Sequence, residues 1–368
     1  SLSLRLTFFT SIVTMRKSTN NKPYDPSTAV LLIYTGGTIG MTEDPATGAL
    51  KAIDFAYIEE HVPEVNNFSF HIDTYSFDQV IDSSEMGPTH WREMALTIRE
   101  NYDKYSGFVI LHGTDTMAYT ASMLSFMLDG LCKPVLLTGS QLPIGKVRTD
   151  GKENLLTSIE IAAAKDPMGN PLLREVCIYF DNRLLRGNRC TKVSSDQFKA
   201  FDSPNYPCLA HAGIDIHYHP EVLMRNDYGE GDLRLHLDLD PNILVLSLFP
   251  GLPESMVASA FETPGLKAVV FRTFGSGNAP ASKHFLEILR ETTSQGIIIV
   301  NISQCFVGKV KMERYATGVT LLSAGVLSGH DMTVEAALAK LMHLLGSGKS
   351  SDEVKQLMGV NLRGEMTV

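Results

Sequence analysis

Apolar residues in this chain gather into short unbroken runs separated by stretches of helical period. Ala29–Tyr34, Phe108–Leu111, Pro134–Thr138 and Val176–Phe180 are nearly continuous runs of aliphatic and aromatic residues. Such runs predict strands buried on both faces of a parallel sheet. Phe68–Phe77 alternates instead, the pattern of a strand with two different faces. From Met117 onward apolar residues recur at 117, 121, 124 and 128, which predicts a mostly buried helix. Thr89–Tyr102 is amphipathic and Asn154–Ala164 also reads as a helix. Strands and helices alternating at this spacing form a parallel α/β sheet with right-handed crossovers. Arg183–Arg189 predicts a hairpin leading to Thr191 and Lys192.

Between about Pro204 and Pro241 the periodicity is lost while Pro, Gly, Asp and Asn accumulate, so a linker with some strand content is expected. A second α/β unit starts at Ile243–Leu248. It continues through strands at Ala268–Phe271 and Gly296–Val300, with helices near 254–262, 282–294, 333–345 and 351–358. The expected organisation is a lead over 1–27, an N-terminal α/β domain over 28–215, a linker over 216–241 and a smaller C-terminal α/β domain over 242–368. In the lead, Arg5 and the run Leu6–Val13 resemble a weak export signal, but hydroxyls interrupt it and no small-residue cleavage site follows. Met15 would make a plausible native start. No apolar run approaches the length of a membrane span.

Charge narrows the partners. There are 41 acidic and 32 basic residues, a formal net charge of −9, and no basic run. Nucleic acid and an anionic membrane are therefore not expected as partners. Five cysteines, an odd number without a CxxC pair, fit a reduced cytoplasmic protein. Cys132, Cys177 and Cys305 lie in or beside apolar runs.

The candidate chemistry sits where strands end. In open α/β sheets ligands bind outside the carboxyl ends of strands, where helix N-termini also present unpaired N–H groups. The first run ends in Thr35-Gly36-Gly37-Thr38-Ile39-Gly40 and the second in His112-Gly113-Thr114-Asp115-Thr116. The first has glycines spaced GGxxG, not the GxGxxG of dinucleotide binding. Any one of these hydroxyls could simply cap a helix. Together they offer more, because a threonine hydroxyl becomes a nucleophile only when a base or cation lowers its effective pKa. Asp115 and Lys192 are available on similar turns, so nucleophile, relay hydroxyl, lysine and carboxylate make a hydrolytic set. Gly346–Ser350 and Gly139–Lys146 fail the phosphate-loop pattern, and no GxSxG elbow is present. His211, His217 and His219 lack the partners of a metal site.

Thr35-Gly-Gly-Thr-Ile-Gly and His112-Gly-Thr-Asp-Thr-Met resemble the two signature stretches of bacterial-type L-asparaginases. The longer stretch from Leu111 to Ser122 and Leu362-Arg-Gly-Glu-Met are similar to the cytoplasmic type I branch. The resemblance covers about Val30 to Thr367. It implies a larger N-terminal α/β domain with a left-handed crossover, against the usual hand, a smaller C-terminal α/β domain, and a homodimer or homotetramer. By the same resemblance Thr38 is the nucleophile, supported by Thr114, Asp115 and Lys192. Asp82, Ser83 and Ser84 grip the substrate's α-carboxylate and α-amino groups, and Asp115 also faces the amine. The implied reaction converts L-asparagine to L-aspartate and ammonia without cofactor or metal, backbone N–H groups near Thr114 stabilising the oxyanion.

Many relatives carry a tyrosine in the loop after the first signature, whereas Pro45–Lys51 here has none. Tyr315 matches a C-terminal-domain tyrosine that some type I relatives place near the nucleophile. Thr191, Arg272, Asn278 and Cys305 match positions that bind a second, activating asparagine in some relatives. Rival expectations are a glutaminase-asparaginase, the amidase-like subunit of a tRNA-dependent amidotransferase, or an amino-acid sensor. An early first signature counts against the amidotransferase subunit, and the full hydrolytic set counts against the sensor.

Overall fold

The structure is a computed structural model that describes residues 16–41, 54–225, 233–314 and 316–368. Among these residues, nine strands of the N-terminal half form one sheet. They are β1 (Arg16–Thr19), β2 (Val30–Gly36), β3 (Ile72–Ile81), β4 (Gly107–Leu111), β5 (Val135–Thr138), β6 (Val176–Phe180), β7 (Arg183–Arg186), β8 (Ala210–Ala212) and β9 (Ile216–Tyr218). Their spatial order is β1-β3-β2-β4-β5-β6-β7-β8-β9. The strands from β3 to β6 run parallel, while β1 and β7 to β9 pair antiparallel at the two edges.

The unbroken apolar runs follow from burial on both faces. Helices α1 (Phe55–His61), α2 (Pro88–Glu100), α3 (Met117–Met127) and α4 (Gly151–Ala163) cover the sheet. Leu31 and Ile33 enter a core with Met94, Ile98 and Phe126, whereas Val30, Leu32 and Tyr34 enter another with Leu155 and Ile159. One strand thus feeds two cores by simple alternation.

The second unit has strands β10 (Ile243–Ser247), β11 (Ala268–Thr273), β12 (Ile298–Ser303) and β13 (Leu327–Ser328), parallel and in sequence order. Its helices are α5 (Glu254–Phe261), α6 (Lys283–Ser294), α7 (Ala316–Ser323), α8 (Val334–Gly346) and α9 (Ser351–Met358).

Three expectations differ from this architecture. The alternating strand sits later than Phe68–Phe77, because Phe68 and Phe70 face each other at 5.1 Å ahead of β3. Ile216–Tyr218, placed in the linker by composition, folds back on β8 and extends the large sheet. The sequence pattern does not mark helices α1 and α7, of 7 and 8 residues, although it marks α5 and α9, which are as short. All five cysteines are free, and Cys305 is exposed.

The halves are joined by α8 and the C-terminal tail. Ala339 of α8 shares a core with Phe126 of α3, and Phe126 stacks on His343 at 5.8 Å. Arg189 pairs with Asp331 at 3.0 Å, and its Nε donates to the Gly364 carbonyl at 2.7 Å. Asn188 donates to the Arg363 carbonyl at 2.8 Å. Beneath the tail lies an ion pair, Lys340–Glu365 at 2.6 Å, with both side chains 0% exposed.

Candidate active site

Glycine brings three sequence-distant turns into contact. A Cβ on Gly37 would stand 2.5 Å from the backbone N of Gly113, and one on Gly113 would stand 2.6 Å from Oγ of Ser83. Such distances exist only because neither residue has a side chain, and Gly37 also holds φ at 94°. The turn of Thr38 is thereby laid on the turn of Thr114, and that turn on the segment Asp82–Ser84. Two threonine hydroxyls fasten the stack. Thr35 donates to the Leu111 carbonyl at 2.9 Å and Thr116 donates to the Ser83 carbonyl at 2.7 Å.

Lysine and carboxylate meet on the exposed side of this stack. Lys192 Nζ donates to Thr114 Oγ1 at 2.8 Å and to Asp115 Oδ1 at 2.7 Å. The Lys192 side chain is 17% exposed and that of Asp115 69%, so the pair opens on solvent from a mostly covered cation. Asp82 is exposed, and hydrogen bonds from the Ser84 backbone N–H and then the Ser84 hydroxyl hold its carboxyl below the usual range. Ser83 between them is buried.

Sequence reasoning missed two supporting residues. Gln141 accepts from Thr114 Oγ1 at 3.3 Å, and its amide donates to the Gln197 carbonyl at 3.0 Å. It bridges the turn after β5 to the loop after Lys192, and its place at a strand end was the available signal. His112 is fully buried, and burial pulls its pKa from 6.5 to about 4. Its Nδ1 lies 2.7 Å from the Gly113 carbonyl, which can only accept, so Nδ1 carries the proton. Nε2 then accepts from Thr120 Oγ1 at 2.8 Å, and Thr120 accepts from Trp91 Nε1 at 2.9 Å. This relay holds a neutral imidazole directly beneath the Thr114 turn.

A second cleft lies beside the first. It encloses about 150 Å³ and is lined by Thr191, Arg272, Cys305, Glu335 and their neighbours. Three of the four residues expected to bind a second asparagine are therefore together. Asn278 is not among the lining residues; it accepts from Thr317 Oγ1 at 2.8 Å across the turn after β11. Tyr315 and the loop Pro45–Lys51 lie outside the described residues. Among the described residues no three His, Cys, Asp or Glu side chains converge on a metal position. No helix among them is long and apolar enough to cross a membrane.

Comparison with known proteins extends the geometry. The family model for "Asparaginase, N-terminal" matches residues 29–223, and that for "Glutaminase/Asparaginase C-terminal domain" matches 242–358. The chain is 44% identical over 344 residues to L-asparaginase 1 of Escherichia coli strain K12, covering 92% of this chain and 98% of the relative. It is also 44% identical over 365 residues to the 60 kDa lysophospholipase of Mus musculus, covering 93% of this chain and 63% of that protein. The crystal structure of L-asparaginase I from Vibrio cholerae superposes with a TM-score of 0.83 at 41% identity, covering 93% of this chain and 99% of the other.

Proposed function

This chain belongs to the asparaginase family and is an amidohydrolase of the L-asparaginase kind, and from that premise we propose that Thr38 is the nucleophile which opens the side-chain amide of L-asparagine. Lys192 stabilises negative charge on Thr114 Oγ1, which makes that hydroxyl a proton relay, and Asp115 orients the lysine. Asp82, Ser83 and Ser84 take the α-carboxylate and α-amino groups. Hydroxyl and N–H donors suit the carboxylate, and the carboxylates of Asp82 and Asp115 suit the ammonium. Backbone N–H groups at the Thr114 turn receive the developing oxyanion. The acyl-enzyme on Thr38 is released by water as aspartate, after ammonia has left. Tyr315 assists Thr38 in place of a loop tyrosine.

The observation that carries this reading is the lysine contact, 2.8 Å from Thr114 and 2.7 Å from Asp115. It lies on a turn held against that of Thr38 by two glycines. No cofactor or metal takes part in the proposed steps. A homodimer or homotetramer in the cytoplasm completes the proposal.

Asparagine also activates the enzyme from the second cleft. Arg272 supports this, because its buried Nε has no hydrogen-bond partner among the described residues and could fork onto a carboxylate. Thr191 and Cys305 line the same space. Asn278 enters the proposal only if its bond to Thr317 is exchanged for one to the ligand.

One kinetic series tests the whole reading: ammonia release from asparagine and, in parallel, glutamine by the parent, Thr38→Ala, Lys192→Met and Arg272→Ala. Thr38→Ala and Lys192→Met should lose about 10²–10⁴ in turnover while remaining folded. Arg272→Ala should convert a sigmoidal asparagine dependence into a hyperbolic one. Near-parental turnover in folded Thr38→Ala would remove the nucleophile, and a hyperbolic parent would remove the regulation.

A further inference from the structure

The strand that carries the lysine is anchored on both of its faces. Thr191 and Lys192 are neighbours in a two-residue strand paired antiparallel with Phe201 and Asp202. Adjacent residues of a strand project to opposite faces. Lys192 accordingly reaches Thr114 and Asp115, while the Thr191 hydroxyl turns away and donates to Glu335 Oε1 at 2.7 Å. Glu335 belongs to the other half of the molecule, in the first turn of α8 and 144 residues further along the chain.

Glu335 is an expensive residue to place there. It is 7% exposed and, among the described residues, has no ion-pair partner within 4.0 Å. A buried carboxylate without a paired cation is tolerated only when hydrogen bonds replace its water. Burial pushes its carboxyl above the usual range, and the Thr191 hydroxyl is the foremost influence that opposes this. Helix α8 is itself a fixed reference, N-capped by Thr333 and stacked through His343 on Phe126 of α3. Helix α3 in turn begins directly after the Thr114 turn. Both ends of the Lys192–Thr114 contact are thus referred to the same pair of helices.

We propose that Glu335 is a positioning residue for the active site, holding Lys192 against Thr114 through Thr191 across the junction of the two domains. The proposal rests on the reading of Lys192 as catalytic. Its mechanics are simple. Without the Glu335 bond the strand keeps its pairing with Phe201 and Asp202, the Val193 N–H bond to the Ala200 carbonyl at 2.7 Å and the lysine contacts, but loses its anchor on the opposite face, so Nζ can drift from Thr114. A misplacement of about 1 Å costs on the order of 10²-fold in rate, and partial loosening should cost about tenfold. The Asp82–Ser84 turn is not attached to this strand, so KM should change less than kcat.

The test uses the full chain with Thr191→Val, Glu335→Ala, Glu335→Gln and the double variant Thr191→Val/Glu335→Ala, each checked for folding by thermal melting. Thr191→Val and Glu335→Ala should each lower the plateau rate at saturating asparagine about tenfold. Glu335→Gln keeps an oxygen acceptor and should restore the rate to within about twofold. The double variant should be no slower than the slower single, because both singles remove one bond. Loss of a regulatory ligand would instead raise the half-saturating concentration and leave the plateau. If Glu335→Ala does not fold, the near-isosteric Thr191→Val decides. A parental plateau in folded Thr191→Val, or losses that multiply in the double variant, would overturn the proposal. Lys192→Met separates the two readings: full turnover in that variant sinks the catalytic lysine itself, whereas an inactive Lys192→Met beside a normal Thr191→Val sinks only the positioning role.

Discussion

Replacing Gly113 by alanine is the sharpest perturbation of the stacked turns. Its backbone, at φ −66° and ψ 142°, is open to any L-residue, so the effect comes from contact alone. The new methyl would lie 2.6 Å from Ser83 Oγ and 2.7 Å from Ser83 Cβ. Carbon atoms rest at about 3.5–4.0 Å, so the two turns must part by roughly 1 Å. Ser83 cannot swing aside freely, since it is buried and its carbonyl accepts the Thr116 hydroxyl at 2.7 Å. Overpacking of this kind costs about 1–3 kcal/mol. The displacement also separates the Asp82–Ser84 segment from Thr114 and Asp115, and a shift of that size costs on the order of 10²-fold in activity. Chemical unfolding with steady-state ammonia release should show both losses in Gly113→Ala, with KM rising because the substrate-gripping turn has moved. Gly113→Ala/Ser83→Gly removes the obstructing atoms and should recover most of the stability. Parental stability and kinetics in Gly113→Ala would refute the claim that this contact sets the site.

Two further predictions concern buried charge. His112 and His343 each have a pKa pulled down to about 4, first by burial. The unfolded chain therefore takes up their protons first as pH falls, so stability present above about pH 6.5 is lost between there and about pH 4. Proton uptake by the unfolded chain alone corresponds to roughly 3 kcal/mol for each imidazole at the acid end. Melting curves across that window should fall less steeply in His112→Gln, and an unchanged slope would show that His112 does not contribute. Lys340→Met should destabilise by about 3–5 kcal/mol in urea titration, because it strands the Glu365 carboxylate with both side chains 0% exposed. Adding Glu365→Leu should not restore the parent. Lys340 also holds the Met358 and Val360 carbonyls, and Glu365 holds the Leu362 and Arg363 N–H groups; a change within about 0.5 kcal/mol for Lys340→Met would contradict the assigned burial cost.

What the sequence determined on its own was local. An unbroken run such as Val-Leu-Leu-Ile-Tyr is a strand between two cores because alternate residues must each find apolar neighbours, and Leu31 and Leu32 do so on opposite faces. The turns of Thr38 and Thr114 were legible for the same reason, since polar residues directly after such a strand fall at the sheet's carboxyl end. Where a signal was irregular it failed, as at the β9 strand hidden in a polar stretch. The tertiary structure decided adjacency. Period and composition do not encode that β3 and β4 flank β2, the order that brings the turns after these three strands together at one end of the sheet. Nor do they encode the approach of Gly37 to Gly113, which depends on missing side chains meeting across that order. Glu335 was invisible for this reason, and Gln141 showed only its place at a strand end; each is an ordinary polar residue until long-range packing aims it at the neighbour of Lys192 or at Thr114. Hydrogen bonds between residues 27 and 144 positions apart exist only after the chain has closed on itself.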